Sequence, residues 1–245
     1  MKKKLMLIMA ISVMLLQGCG AAKTEVSDTE RWITASYAVL TEINGWDYTY
    51  FPGSTISEID KMIQQESLKQ SWGVEDRESA DETLEWVIEE GHRTEFADDM
   101  KYLEECGLGE IPAEERVAAL LAVFELTEEE AVTYVREYEI YENYGEHAID
   151  AWDYCRALNL MSFYHVAGYY EKEEALDKSL EIAKELQAKY TSWDELMESY
   201  LCGYEYWAEE SSEERRAIYE ELKSRENNPY AVEYNTVLEN TWSMK

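Results

Sequence analysis

Positive charge is what this chain has least of for its size. Its 22 lysines and arginines stand against 53 aspartates and glutamates, a formal net charge of −31. Sequence-independent binding to nucleic acid needs basic side chains that replace counterions, so it is excluded. Docking of the folded part on anionic headgroups is disfavoured for the same reason. Histidine is scarce too: His92, His147 and His165 are the only three. Neither Cys-x-x-Cys nor His-Glu-x-x-His occurs, and glycine-centred calcium loops, phosphate loops and the Gly-x-Ser-x-Gly elbow are all missing. Glu89-x-x-His92 has the spacing of half a di-iron carboxylate site, without the second copy such sites need. Cys155 and His165 show no spacing that marks a nucleophile and its base. No catalytic residue, metal or cofactor is therefore expected. Alternating strand patterns are absent except for the very short Tyr48-Thr49-Tyr50-Phe51. With 3 prolines and 11 glycines in 245 residues, little interrupts helices. No apolar run reaches the roughly 20 residues that span a bilayer.

The N-terminus carries the most specific pattern. Lys2, Lys3 and Lys4 precede an apolar stretch from Leu5 to Leu16, which ends at Leu16-Gln17-Gly18-Cys19. A positive start, a short apolar core and small residues at the cut read as a secretory signal. The Leu-x-Gly-Cys ending resembles a bacterial lipobox. That resemblance implies cleavage before Cys19, a diacylglycerol thioether on its sulfur and acylation of the freed amine. Two acyl chains suffice for stable anchoring. The expected organisation is a signal at 1–18, a lipidated tether at 19–28 and one α-helical domain at 29–245. Gly107, Gly109 and Pro112 suggest a sub-boundary near 106–112. Cys106, Cys155 and Cys202 remain, an odd number that is no disulfide framework, and their pairing cannot be read from spacing.

The remainder is periodic at the helical repeat. Trp32, Ser36, Val39 and Ile43 share a face, and helices are expected near 55–70 and 79–90. The clearest run spans about 171–189, with Leu176, Leu180, Ala183, Gln187 and Tyr190 aligned. The next, about 193–208, buries Trp193, Leu196, Met197, Tyr200, Gly203, Tyr204 and Trp207. Gly203 on that stripe invites a close helix neighbour. Capping boxes are expected at Ser27/Glu30, Thr55/Glu58, Ser79/Glu82, Thr127/Glu130, Ser192/Glu195 and Ser211/Glu214. The whole reads as an all-α, compact domain of about eight helices.

Two clusters are candidates for a site. In Ala151-Trp152-Asp153-x-x-Arg156, Asp153 and Arg156 are three apart on a helix and can pair beside the Trp152 indole. The pair could position a ligand carboxylate or amine, or could hold helices in register, the favoured role. The second cluster combines Gln187, Tyr190, Ser192, Trp193, Tyr200, Gly203 and Trp207. Aromatic stripes at this spacing usually form core, with a sugar- or amine-binding cleft as the alternative.

These blocks carry a resemblance. Ser71-Trp72-Gly73, Gly91-His92-Arg93, Trp152-Asp153-x-x-Arg156, Ala167-Gly168-Tyr169, Gln187-x-x-Tyr190-x-Ser192-Trp193 and Tyr200-x-x-Gly203 with Trp207 resemble the bacterial domain of unknown function 1266 family. The resemblance covers about Trp32 to Trp207 and leaves the tail beyond Glu209 peripheral. It implies a mainly helical bacterial domain and names no catalytic residue.

The expected function is a lipid-anchored interaction or binding protein without catalysis, exported to the extracytoplasmic face. Its expected partners are the membrane through Cys19, and an envelope protein or a small cationic or aromatic-stacking ligand. The alternative is a hydrolase-like envelope enzyme that uses Asp153, beside Arg156, with acids such as Glu146 or Asp194.

Overall fold

Residues 26–242 are described by a computed structural model; Cys19 and the signal and most of the tether lie outside them. The described chain is all-α. Eleven helices follow in order: α1 Asp28–Ser36, α2 Ala38–Ile43, α3 Glu58–Trp72, α4 Arg77–Glu89, α5 Gly91–Glu105, α6 Ala113–Val123, α7 Glu128–Tyr144, α8 Asp150–Val166, α9 Lys172–Lys189, α10 Trp193–Ala208 and α11 Glu213–Ser224. That exceeds the expected number of about eight. The excess comes from breaks with little sequence signature. Only Tyr37 parts α1 from α2, and only Glu90 parts α4 from α5. Tyr48–Phe51 lies in turns, and no strand occurs among the described residues.

Hydroxyl and carboxylate caps fix the helix starts. Ser27 opens α1 and Ser192 opens α10, each accepting from the amide three residues on. Thr127 and Glu130 form the reciprocal box at α7. The other expected boxes shift. Ser57 with Asp60, not Thr55 with Glu58, opens α3. Asp76 opens α4, with Ser79 as its third residue. No side chain caps α11, where Ser211 accepts from the Glu213 amide outside the helix. In α3 and α4 a short side chain at the true start outcompetes a similar one a few residues away.

Helix α8 is the axis of the molecule. Only Phe163 and His165 on it are part-exposed, and α1, α3, α4, α5, α9 and α10 pack against it. A helix that is apolar nearly all round must be surrounded. Its approach to α10 depends on Gly203, where an added Cβ would lie 2.3 Å from Trp152 Cβ. The larger apolar cluster surrounds α8, α9 and α10; a smaller one joins α5, α6 and α7 to Ile149 and Cys202. Of residues 106–112, Leu108 belongs to the smaller cluster and Ile111 packs against it. Cys155 and Cys202 are buried, Cys106 is exposed, and all three are free thiols.

The C-terminal tail is integral rather than peripheral. Trp32 Nε1 donates to Tyr234 O at 2.8 Å and Trp193 Nε1 to Val232 O at 2.9 Å. Gln187 Nε2 donates to Tyr234 O and Thr236 O at 2.7 and 3.0 Å. The tail thus closes over α1, α9 and α10 through the side chains of Trp32, Gln187 and Trp193.

Candidate functional site

The start of α5 lacks a cap of its own. Glu90 sits in the cap position, offers no side-chain bond, and leaves the first amides of the helix unmet. Asp153 on α8 supplies the missing acceptor from across the core. The His92 and Arg93 amides donate to its two oxygens at 3.2 and 3.0 Å. Gly91, at φ +59°, makes room: a Cβ there would lie 2.1 Å from Asp153 Oδ2. Arg93 continues the joint, donating from Nη1 to Val87 O at 2.8 Å and from Nη2 to Ile88 O at the end of α4. It also reaches Asp153 at 3.3 Å and Asp150 at 3.8 Å. Gly91-His92-Arg93 and Trp152-Asp153-x-x-Arg156 are therefore two halves of one joint.

Arg156 closes this network from the other side. Its Nη2 donates to Asp153 Oδ1 and to His92 Nδ1, the latter at 2.7 Å, and its Nε donates to Trp152 O at 3.3 Å. Its guanidinium lies 4.5 Å from the Trp152 ring centroid and 5.4 Å from that of Trp72. Burial by itself pushes the Asp153 carboxyl up. The Arg156 charge and the two amides outweigh it and hold the group below the ordinary carboxylate value. Asp150, equally buried, pairs with Lys189 at 2.7 Å and with His147 at 2.9 Å.

Outside this network an open cleft of about 910 Å³ runs along α8. Its floor is Trp152, Arg156, Asn159, Leu160, Phe163 and Val166, one face of α8 and about 21 Å long at the helical rise of 1.5 Å per residue. One wall is α3, from Asp60 to Trp72; the other is Glu82, Thr83 and Trp86 of α4. His92, Trp207 and Arg215 close one end, while Leu40, Asn44 and Trp46 lie at the other. Trp86 and Trp207 are 39% and 51% exposed, and both meet the His92 ring edge-on. The two indoles thus leave flat apolar surface at the opening of the cleft.

Of the residues singled out in the sequence, Trp152, Arg156 and Trp207 meet at this cleft. Asp153 lies behind it, fully buried. Tyr200 is core, packed on Trp152 at 5.5 Å, its hydroxyl taken by Arg215 at 2.6 Å. Trp193 is core on the opposite side, 5.1 Å from both Trp32 and Tyr234. Glu146 and Asp194 are both exposed, and Tyr219 and Lys223 bind the Asp194 carboxylate. Glu89 ends α4 whereas His92 belongs to α5, which splits the half-site spacing. Gln64, Asn159 and Asp150 were not expected. The readable signal for Asn159 was a lone carboxamide inside Ala157-Leu158-Asn159-Leu160-Met161.

Comparison with known proteins adds the family. The model described as "Protein of unknown function (DUF1266)" matches residues 67–234, more than half of the chain. The chain belongs to the DUF1266 family. The match takes in α4 through α11 and the tail as far as Tyr234, so the DUF1266 domain contains the Asp153 joint, the α8 floor and the α4 wall of the cleft. No curated protein and no solved structure matches this DUF1266 chain.

Proposed function

We propose that this protein is a non-catalytic binding module, held at the extracytoplasmic face of a bacterial membrane by lipid on Cys19, and that the α3–α4–α8 cleft receives its ligand. The observation that carries the reading is the pair of exposed indoles, Trp86 and Trp207, beside a guanidinium at the floor of a ligand-sized cleft. The alternative, hydrolysis by carboxylates around Asp153 and Arg156, finds less support. Both Asp153 oxygens are taken by amides and guanidinium groups, and its carboxyl is held ionised well below neutrality. A general acid or base needs a tunable proton within reach of substrate. Glu146 and Asp194, its expected partners, do not line the cleft. The lining carries two guanidinium groups, Arg156 and Arg215, and two carboxylates, Asp60 and Glu82, so its charge alone does not choose the sign of the ligand.

Two measurements test the proposal. Expressed in a bacterial host with an alkyne fatty acid, the full chain should take up label and sediment with membranes, and Cys19→Ser should do neither. The purified protein should then be melted against a panel of anionic, neutral and cationic small molecules. The expected result is at least one compound that raises the Tm of the wild type, not of Trp86→Ala or Trp207→Ala, and is recovered unchanged. Conversion of the bound compound would point to an enzyme instead. The absence of any Trp-dependent ligand would remove the cleft from the account.

A further inference from the structure

The cleft floor holds polar groups that the protein itself leaves unmet. Gln64 and Asn159 are 5% and 6% exposed, line the cleft, and make no hydrogen bond within the described structure. Arg156, 7% exposed, spends Nε and Nη2 on the protein and keeps Nη1 unbonded. Trp152 Nε1 is buried without a partner. Of these only Trp152 Nε1 is sealed from solvent; the Gln64 and Asn159 carboxamides and Arg156 Nη1 face the open cleft, where water or a ligand completes them. Arg156 and Arg215 are the cations of the lining and Asp60 and Glu82 its carboxylates, with Arg156 on the α8 floor beside Asn159.

The types of these groups narrow the ligand. A carboxamide both donates and accepts, which matches a hydroxyl that does the same. A free guanidinium N–H matches a carboxylate oxygen. Asn159 is three residues after Arg156 on α8, so one ligand can reach both, while Gln64 faces them from α3. The indoles of Trp72, Trp86 and Trp207 supply flat apolar faces against which a sugar ring can lay its C–H face. A simple fatty acid would use Arg156 and leave both carboxamides unmet. A neutral sugar would use the carboxamides and leave the free Arg156 Nη1 without a carboxylate.

Resting on the cleft being a binding site, we infer that its ligand is a carboxylated sugar, a hexuronic acid or a short chain of them. Arg156 reads the carboxylate, Gln64 and Asn159 read ring hydroxyls, and the tryptophans stack.

Titration of the purified protein with digalacturonic acid, followed by tryptophan fluorescence and calorimetry, tests this against digalactose as the neutral counterpart. The expected result is saturable binding of the acid and at least about tenfold weaker binding of the neutral sugar, a difference of about 1.4 kcal/mol. Arg156 is tied into the fold, so the informative variants are Asn159→Ala and Gln64→Ala, which remove no protein hydrogen bond. They should melt at or above the wild-type temperature and lose about tenfold or more in affinity for the acid. Equal binding of acid and neutral sugar, or acid binding untouched by both variants, overturns the inference. If another compound from the panel binds in a Trp86-dependent way while digalacturonic acid does not, the sugar-acid assignment falls and the binding module stands. If nothing binds with Trp86 dependence, both fall.

Discussion

Asp153 and Glu137 show how differently two buried carboxylates can behave in one acidic protein. Asp153 is surrounded by donors and is held ionised; Glu137, on α7, is only 2% exposed, and burial pushes its carboxyl up to about 7, aided by Asp99 and Glu209 and opposed by Arg136. The signs of their linkage to pH are opposite. Asp153 contributes stability that is present above the unfolded pKa, about 3.9, and lost as pH falls through its lower folded value. Glu137 binds its proton more tightly when folded, so its contribution is complete below its unfolded pKa of about 4.3 and lost as pH rises through 7. Urea unfolding should therefore give a lower stability at pH 8 than at pH 5.5, by on the order of 2–3 kcal/mol from this group. Glu137→Gln should flatten that fall; an unchanged pH profile in the variant would reject the assignment. The sequence made the Asp153–Arg156 pairing legible because three residues on a helix fix the neighbour. It could not show that Asp153 caps another helix, since that contact joins positions about sixty residues apart.

At the level of helices, α8 decides the architecture, and glycines decide how closely others approach it. Gly203 stands where any side chain would strike Trp152 and Ile149, the latter 3.2 Å from an added Cβ. Gly203→Ala should cost about 1–3 kcal/mol or more in chemical denaturation, despite alanine's better helix propensity, because overpacking outweighs it. A variant as stable as the wild type would mean that α8 and α10 do not pack as described. The α10 stripe made this contact readable: Gly203 interrupts a run of large side chains, and small size there has a packing meaning. A helix end near residue 90 was readable, but the immediate start of α5 at Gly91 was not, because its acceptor comes from α8. The tail was misjudged for a related reason. Its own sequence has weak periodicity, and it is held through its backbone carbonyls by Trp32, Gln187 and Trp193.

For the molecule as a whole, composition foretold the helical class and the charge foretold the surface, since both are averages that no single contact can change. The cleft was less legible. Trp152, Arg156 and Trp207 stood out as unusual residues, but Gln64 and Asn159 are ordinary ones that stand out only because both face one cleft without a protein partner. Labour divides between neighbours on α8: Asp153 caps α5 and holds Arg156, while Asn159 makes no bond within the protein and is proposed to meet the ligand. Equilibrium urea unfolding of Asp153→Ala and Asn159→Ala, side by side at pH 7, tests that division most directly. Loss of Asp153 leaves the buried Arg156 without its carboxylate and the first amides of α5 without their acceptor, and should cost about 3–5 kcal/mol. Loss of Asn159 should cost nothing measurable or should stabilise the protein. An Asp153→Ala variant that unfolds with the wild type, or an Asn159→Ala variant as weak as it, would contradict the account.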